Sequence, residues 1–222
     1  MIHGINLLCI LSAVFFLFFI IREFVAYKRY LPLKYFFTPS LTMLLVIMMI
    51  LSIVINGADR YRLMITLSLL MALAADTQLM IEEISLMKNG AVFFIIGHIF
   101  YLIAFSADMS FEPWNGAVIA ALLVINLVFF RILFNASGKK SIPAVIYILI
   151  LDFVVYFAIT RLNAGLSVSG ILAASGVILF MISDFILLTN GFIKAIPKST
   201  VFTWLFYAPA QYLIVLSTFV FS

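Results

Sequence analysis

The sequence predicts an all-α polytopic membrane protein, a bundle of eight transmembrane helices in a single domain over residues 1–222. Three observations predict it. Hydrophobic residues make up 66% of the chain and charged residues 10%, against about half and a quarter in soluble domains, and the mean hydropathy is +1.28. The apolar residues gather into stretches of about twenty, the length that crosses a bilayer core. The connections between them are short and rich in turn and cap residues, with no linker that would separate domains.

The elements follow in order. The first span is 4–21; Arg22, Lys28 and Arg29 follow it and no basic residue precedes it, unlike a cleaved signal peptide. The second, 36–55, stops at Asn56-Gly57. The third covers 62–81, and the fourth, 90–106, starts at Asn89-Gly90 and is the shortest. The fifth and sixth are 116–133 and 143–160. The seventh, 167–188, is followed by Asn190-Gly191, and Ser199-Thr200 opens the eighth, 200–221.

Basic residues set the orientation. The odd-numbered loops carry Arg22, Lys28, Arg29, Lys34, Lys88, Arg131, Lys139, Lys140, Lys194 and Lys198. The even-numbered loops carry Arg60, Arg62 and Arg161. The odd-numbered loops are therefore expected in the cytoplasm and both termini outside; the expected location is the bacterial cytoplasmic (inner) membrane. The net charge of +4 is absorbed by this asymmetry. There is no nucleic-acid signature, and the oligomeric state is not encoded legibly.

Against this apolar background two carboxylates stand out, Asp76 in Ala74-Ala75-Asp76-Thr77-Gln78-Leu79-Met80 and Asp184 in Ile182-Ser183-Asp184-Phe185-Ile186-Leu187-Leu188. A charged residue at bilayer depth costs about 2.5–3.5 kcal/mol on insertion scales and marks a functional site by default. Both fall about 8 Å from the cytoplasmic ends of their spans at 1.5 Å per residue. The two settings lie half the chain apart, as a weak 4+4 parallel repeat would give. Lys34, His98, Tyr101, Tyr147, Tyr207 and Gln211 share the inner half of the membrane on the predicted topology, and polar groups are expected to be sparse in the outer half. His98 and Tyr101 lie on one helical face, as do Tyr207 and Gln211. Asp152 is a third intramembrane carboxylate, about 140° around its helix from Tyr147. Ser169, Gly170, Ala173, Ala174 and Gly176 are expected to let the seventh span pack closely on a neighbour.

Some chemistries are excluded. With two histidines a three-imidazole zinc site cannot be assembled, and with one cysteine, Cys9, no intrachain disulfide can form. Two neighbouring carboxylates can instead divide acid and base roles without a metal or other cofactor.

The pattern resembles the YhhN-like lysoplasmalogenase family of eight-span membrane proteins over essentially the whole chain. The resemblance is carried by Asp76, by Gly97-His98 with Tyr101, by Gly176 followed by Ser183-Asp184, and by Tyr207 with Gln211. The serine–aspartate and tyrosine–glutamine pairs are its most specific parts. This chain has Ala75-Asp76 where the family often has Gly-Asp, and Lys34-Tyr35 with Pro39 where it often has Lys-Pro.

The resemblance implies hydrolysis of the vinyl ether bond of a lysophospholipid substrate, a lysoplasmalogen. The products would be a fatty aldehyde and glycerophosphoethanolamine or glycerophosphocholine. Asp76 and Asp184 would be catalytic, and Lys34, His98, Tyr101, Tyr147, Tyr207 and Gln211 would bind substrate among the surrounding membrane lipids. A proton-coupled transporter of small solutes or lipids is the alternative, and it predicts polar groups continuing to the outer face. An intramembrane aspartic protease would need a glycine-rich aspartate motif, which the sequence lacks.

Overall fold

The structure is a computed structural model and describes residues 2–81, 86–108, 112–164 and 167–219. Among them every regular element is helical: α1 (Ile2–Tyr27), α2 (Leu31–Asn56), α3 (Arg60–Leu79), α4 (Met87–Phe105), α5 (Asn115–Ser137), α6 (Ile142–Thr160), α7 (Val168–Leu188) and α8 (Ser199–Leu216). Six helical stretches in the described residues are long and apolar enough to cross a membrane, one of them taking in both α5 and α6. The chain is an integral membrane protein.

Local signals account for several of the boundaries. Gly57 stops α2 with φ +83°, a backbone state that favours glycine. The Asp59 carboxylate caps α3 by accepting from the Arg62 backbone N–H at 2.7 Å, and the Ser167 hydroxyl caps α7 at the Gly170 N–H. Asn115 and Asn163 bond across α5 and the end of α6, as do Asn126 and Asp152 nearer the turn, so these helices form an antiparallel pair.

Several boundaries differ from the expectation. Arg22 and Lys34 are not loop cations: α1 continues through Arg22, and α2 begins before Lys34. Both side chains are buried, at 0% and 2% exposure. A helix can carry a charged residue past its apolar run when neighbouring helices enclose the side chain, which the run alone does not reveal. Asn89-Gly90 lies within the first turn of α4, and Asn190-Gly191 lies in a π-helical turn over Thr189–Ile193 rather than an open loop. The end of the expected eighth span, 220–221, and the Lys88 side chain lie outside what is described.

The polar layer is also not single. A second buried cluster sits at the opposite end of α2, α3 and α8. There the Arg62 Nε donates to the Thr218 carbonyl at 3.0 Å, and the Thr218 hydroxyl meets Ser52 at 2.9 Å. Tyr61 and Ser217 lie 2.6 Å apart beside them. Short hydroxyl side chains scattered in apolar runs hide in hydropathy, so this cluster was not legible.

The closest packing pairs α3 with α4 and α7 with α8. Small residues permit both approaches. A Cβ on Gly176 would sit 2.8 Å from the Ala210 carbonyl oxygen and 3.1 Å from the Ile214 nitrogen. A Cβ on Gly97 would meet the Ser68 hydroxyl at 3.3 Å. The first contact includes backbone that cannot turn aside. Gly176→Ala is therefore expected to lower stability by about 1–3 kcal/mol through overpacking, with Gly97→Ala costing less. Thermal unfolding of the two purified variants in one detergent checks the order, and equal midpoints would contradict it.

Candidate functional site

Asp76 lies near the C-terminal end of α3 and Asp184 near that of α7, and both are almost wholly buried, at 3% and 2% exposure. A carboxylate in such surroundings needs donors supplied by facing helices. Asp76 Oδ2 accepts from the Thr42 hydroxyl of α2 at 2.6 Å and from the Tyr207 hydroxyl of α8 at 2.9 Å. Asp184 Oδ2 accepts from the Tyr147 hydroxyl of α6 at 2.6 Å.

Behind these contacts runs a chain of donors. Tyr101 of α4 donates to Gln211 Oε1. The Gln211 amide then lies 3.4 Å from the Tyr207 oxygen, with the amide donating, and Tyr207 donates onward to Asp76. Every O–H and N–H in the series points toward the Asp76 carboxylate. His98 sits on the other branch, its Nε2 3.9 Å from Asp184 Oδ2. That is beyond hydrogen-bond range. The His98 side chain is buried, at 1% exposure. Its ring packs edge-on against Phe180 and Tyr147, with centroids 5.0 and 5.2 Å away.

Asp76 and Asp184 line one cavity of about 370 Å³. Tyr207, Phe94, Trp204 and Arg22 share its wall. Hydroxyls and amides from Thr38, Ser183, Asn190 and Thr200 add polar surface, and Leu79, Met80 and Leu187 supply an apolar side. Arg22 is held in place by Thr38 (Nε to Oγ1, 3.4 Å), by the Thr200 carbonyl (3.3 Å) and by Glu23 (2.5 Å). Its guanidinium carbon lies 4.2 Å from the Trp204 ring centroid, within cation–π range.

The cavity has a floor. Ser68, His98, Tyr101, Phe180 and Gln211 pack with no room for a water molecule. Beyond them the fully buried Phe105 stacks on Tyr101 and meets Tyr61, with centroids 5.9 Å away in each case. An aromatic layer therefore divides the aspartate cavity from the polar cluster at the far end.

The residues anticipated from sequence are thus gathered, though not all on one surface. Asp76, Asp184 and Tyr207 line the cavity. Tyr147, His98, Tyr101 and Gln211 stand behind them, and the last three lie past the midpoints of α4 and α8, deeper than expected. Lys34 lines an adjoining cavity and donates to the Met80 carbonyl at 3.4 Å. Asp152 belongs elsewhere, accepting from Asn126. Sequence reasoning missed Thr38 and Arg22 as cavity groups and Thr42 as a donor to Asp76. Arg22 had a signal, since Glu23 follows it directly and Thr38 faces it across the α1–α2 turn. Thr42 had none. Among the described residues no group of three or more His, Cys, Asp or Glu is placed to hold a metal ion.

An integral membrane protein whose helices enclose two carboxylates in one cavity is thereby defined. The chain belongs to the YhhN family, whose sequence pattern matches residues 33–218. No curated protein matches the chain, and neither does any solved structure.

The relay predicts its own energetics. Gln211→Leu leaves the Tyr101 hydroxyl buried without its acceptor, so it is expected to cost about 1–3 kcal/mol. Tyr101→Phe combined with Gln211→Leu should cost less than the two single changes added together. A double-mutant cycle on thermal stability measures this coupling, and strict additivity would mean the two groups do not interact.

Proposed function

We propose that this protein is a membrane hydrolase that cleaves the vinyl ether bond of lysoplasmalogens. The observation that carries the reading is that Asp76 and Asp184 line one cavity closed at its floor. Membership of the YhhN family supports it. We further propose eight membrane crossings in the bacterial cytoplasmic membrane with both termini outside. The antiparallel pairing of α5 and α6 supports the count. The matched close pairs α3–α4 and α7–α8 support a weak 4+4 parallel repeat.

The chemistry follows from the two carboxyl groups. A vinyl ether hydrolyses when an acid protonates its β-carbon, which places an oxocarbenium ion at the carbon bearing oxygen. Asp184, with one hydroxyl donor on its carboxyl group, is the acid in this reading. Asp76, which accepts two hydroxyl hydrogen bonds on one oxygen, is the base. It stabilises the cation and takes a proton from the water that captures it, a division of labour like that of glycosidases. The hemiacetal then collapses to a fatty aldehyde and a glycerophospho-alcohol, and solvent protons restore Asp184 while Asp76 gives its proton up. Overall one water is consumed, and no oxidant or metal is needed. Tyr147 holds the acid in place. Tyr207, backed by Gln211 and Tyr101, holds the base, and His98 packs behind the acid.

Transport is the competing function for such a membrane cavity. It requires a path to the opposite face, where a buried polar cluster does exist. The packed floor at His98, Tyr101 and Phe105 argues against that path.

Detergent-purified protein is expected to release aldehyde from lysoplasmenylethanolamine and to leave an ester-linked lysolipid intact. Asp184→Asn and Asp76→Asn should each lower turnover by about 10²–10⁴-fold. A coupled aldehyde assay on folded, monodisperse samples reads this directly. Near-wild-type turnover in both variants would end the two-carboxylate scheme.

A further inference from the structure

Beside the aspartate cavity lies a second one of about 560 Å³ that shares Ser199 and Thr200 with it. Its wall contains three cations, Arg29, Lys34 and Lys198. Lys34 is the buried member, at 2% exposure. Arg29 and Lys198 are exposed at the rim.

The backbone here is unusual. Arg29 and Lys198, at φ +58° and +56°, are the non-glycine residues with left-handed backbone among those described, and both line this cavity. Arg29 ends α1: its N–H reaches the Ala26 carbonyl and the Tyr30 N–H reaches the Val25 carbonyl, each at 3.1 Å. That bonding pattern normally places glycine where Arg29 stands. Lys198 occupies the position before the first turn of α8, where Ser, Thr, Asp or Asn would cap the helix. Left-handed non-glycine residues cost free energy and gather at functional sites. At both positions a cation stands where the fold would favour another residue. Lys198 is further fixed over the Tyr27 ring, 3.0 Å from its centroid.

We propose that this second cavity is the phosphate-binding vestibule of the active site, taking the phosphodiester of a single-chain lysophospholipid headgroup. The inference rests on the hydrolase reading for the identity of the lipid, and on the geometry for the phosphate. Lys34 meets the phosphate from the buried side, Arg29 and Lys198 meet it from the rim, and Ser199 and Thr200 lie between the phosphate and the aspartates. Phosphate seated there directs the glycerol and its vinyl ether past Thr200 into the cavity of Asp76 and Asp184. Arg22 acts as a positioning residue, since its bond to the Thr200 carbonyl holds the shared wall.

The test uses lipids that the enzyme does not turn over. Binding of 1-O-alkyl-lysophosphoethanolamine, 1-O-alkylglycerol and phosphatidylglycerol to the detergent-purified full chain is measured by calorimetry. The wild type should prefer the alkyl lysophospholipid over the alkylglycerol by about tenfold or more, the worth of one or two charge-assisted contacts. Arg29→Gly with Lys198→Asn keeps residues that tolerate the left-handed backbone. This pair should erase most of that preference while leaving alkylglycerol affinity unchanged, and Lys34→Gln should do the same if it folds. Equal affinity for the two single-chain lipids in the wild type would overturn the proposal. Phosphatidylglycerol competing as well as the lysophospholipid would overturn it too, because the cations would then be contacting the bilayer. Binding is read without turnover, so a chain that keeps the preference but releases no aldehyde overturns the hydrolase reading alone.

Discussion

The acceptance of two hydroxyl hydrogen bonds by the Asp76 carboxylate is the constraint around which the other helices are arranged. An apolar bundle has no water to spare for a buried carboxylate, so each donor must come from a neighbouring helix. Thr42 ties α2 to α3, and Tyr207 ties α8 to α3. Gln211 then brings in Tyr101 and with it α4. Asp184 repeats the arrangement on a smaller scale, binding α6 to α7 through Tyr147. Helix association in lipid lacks the hydrophobic drive available in water, so such bonds carry much of the specificity of the packing.

Glycine makes those bonds geometrically possible. The α7–α8 approach at Gly176 brings the Ala210 carbonyl within 2.8 Å of where a Cβ would stand. Ala210 neighbours Gln211, and Tyr207 lies one turn away, so this contact sets how far the tyrosine–glutamine pair stands from α7. Gly97 does the same for α3 and α4 next to His98. Two close approaches and two buried carboxylates are thus one construction: the small residues fix the spacing, and the polar residues fix the register.

How much of this was legible depends on how unusual each residue is in its surroundings. Asp76 and Asp184 stood out because carboxylates are rare in apolar runs, and Tyr207 and Gln211 because helical spacing aligns them. The integral membrane character followed from hydropathy alone. Thr42 could not be seen: threonine is common in such runs, and only the facing helix gives it meaning. Arg22 was misread as a loop cation because an apolar run ends at the first charge, whereas a helix ends where its backbone bonds end. Ser52 and Thr218 escaped for the same reason as Thr42, and Arg62, read as a loop cation, for the same reason as Arg22. Left-handed backbone at Arg29 and Lys198 leaves no mark in composition, since neither residue type announces it.

The two polar ends of the bundle differ in kind, and the difference bears on function. At the far end Arg62 is satisfied by Asp59, Ser52 and the Thr218 carbonyl, and none of these groups lines the aspartate cavity. That is a closed network of the sort that locks helix ends together. At the near end the aspartates, Tyr207 and Arg22 all border open volume, and polar side chains bordering a cavity keep capacity for a ligand. The packed floor, with its aromatic rings, lies between the cavity and the far network. In the proposed function the charged head and single chain of an amphiphile meet a cavity with polar groups on one side and apolar ones on the other. A solute that had to leave by the opposite face would meet Phe105 and the Tyr61–Ser217 pair, and both would have to move.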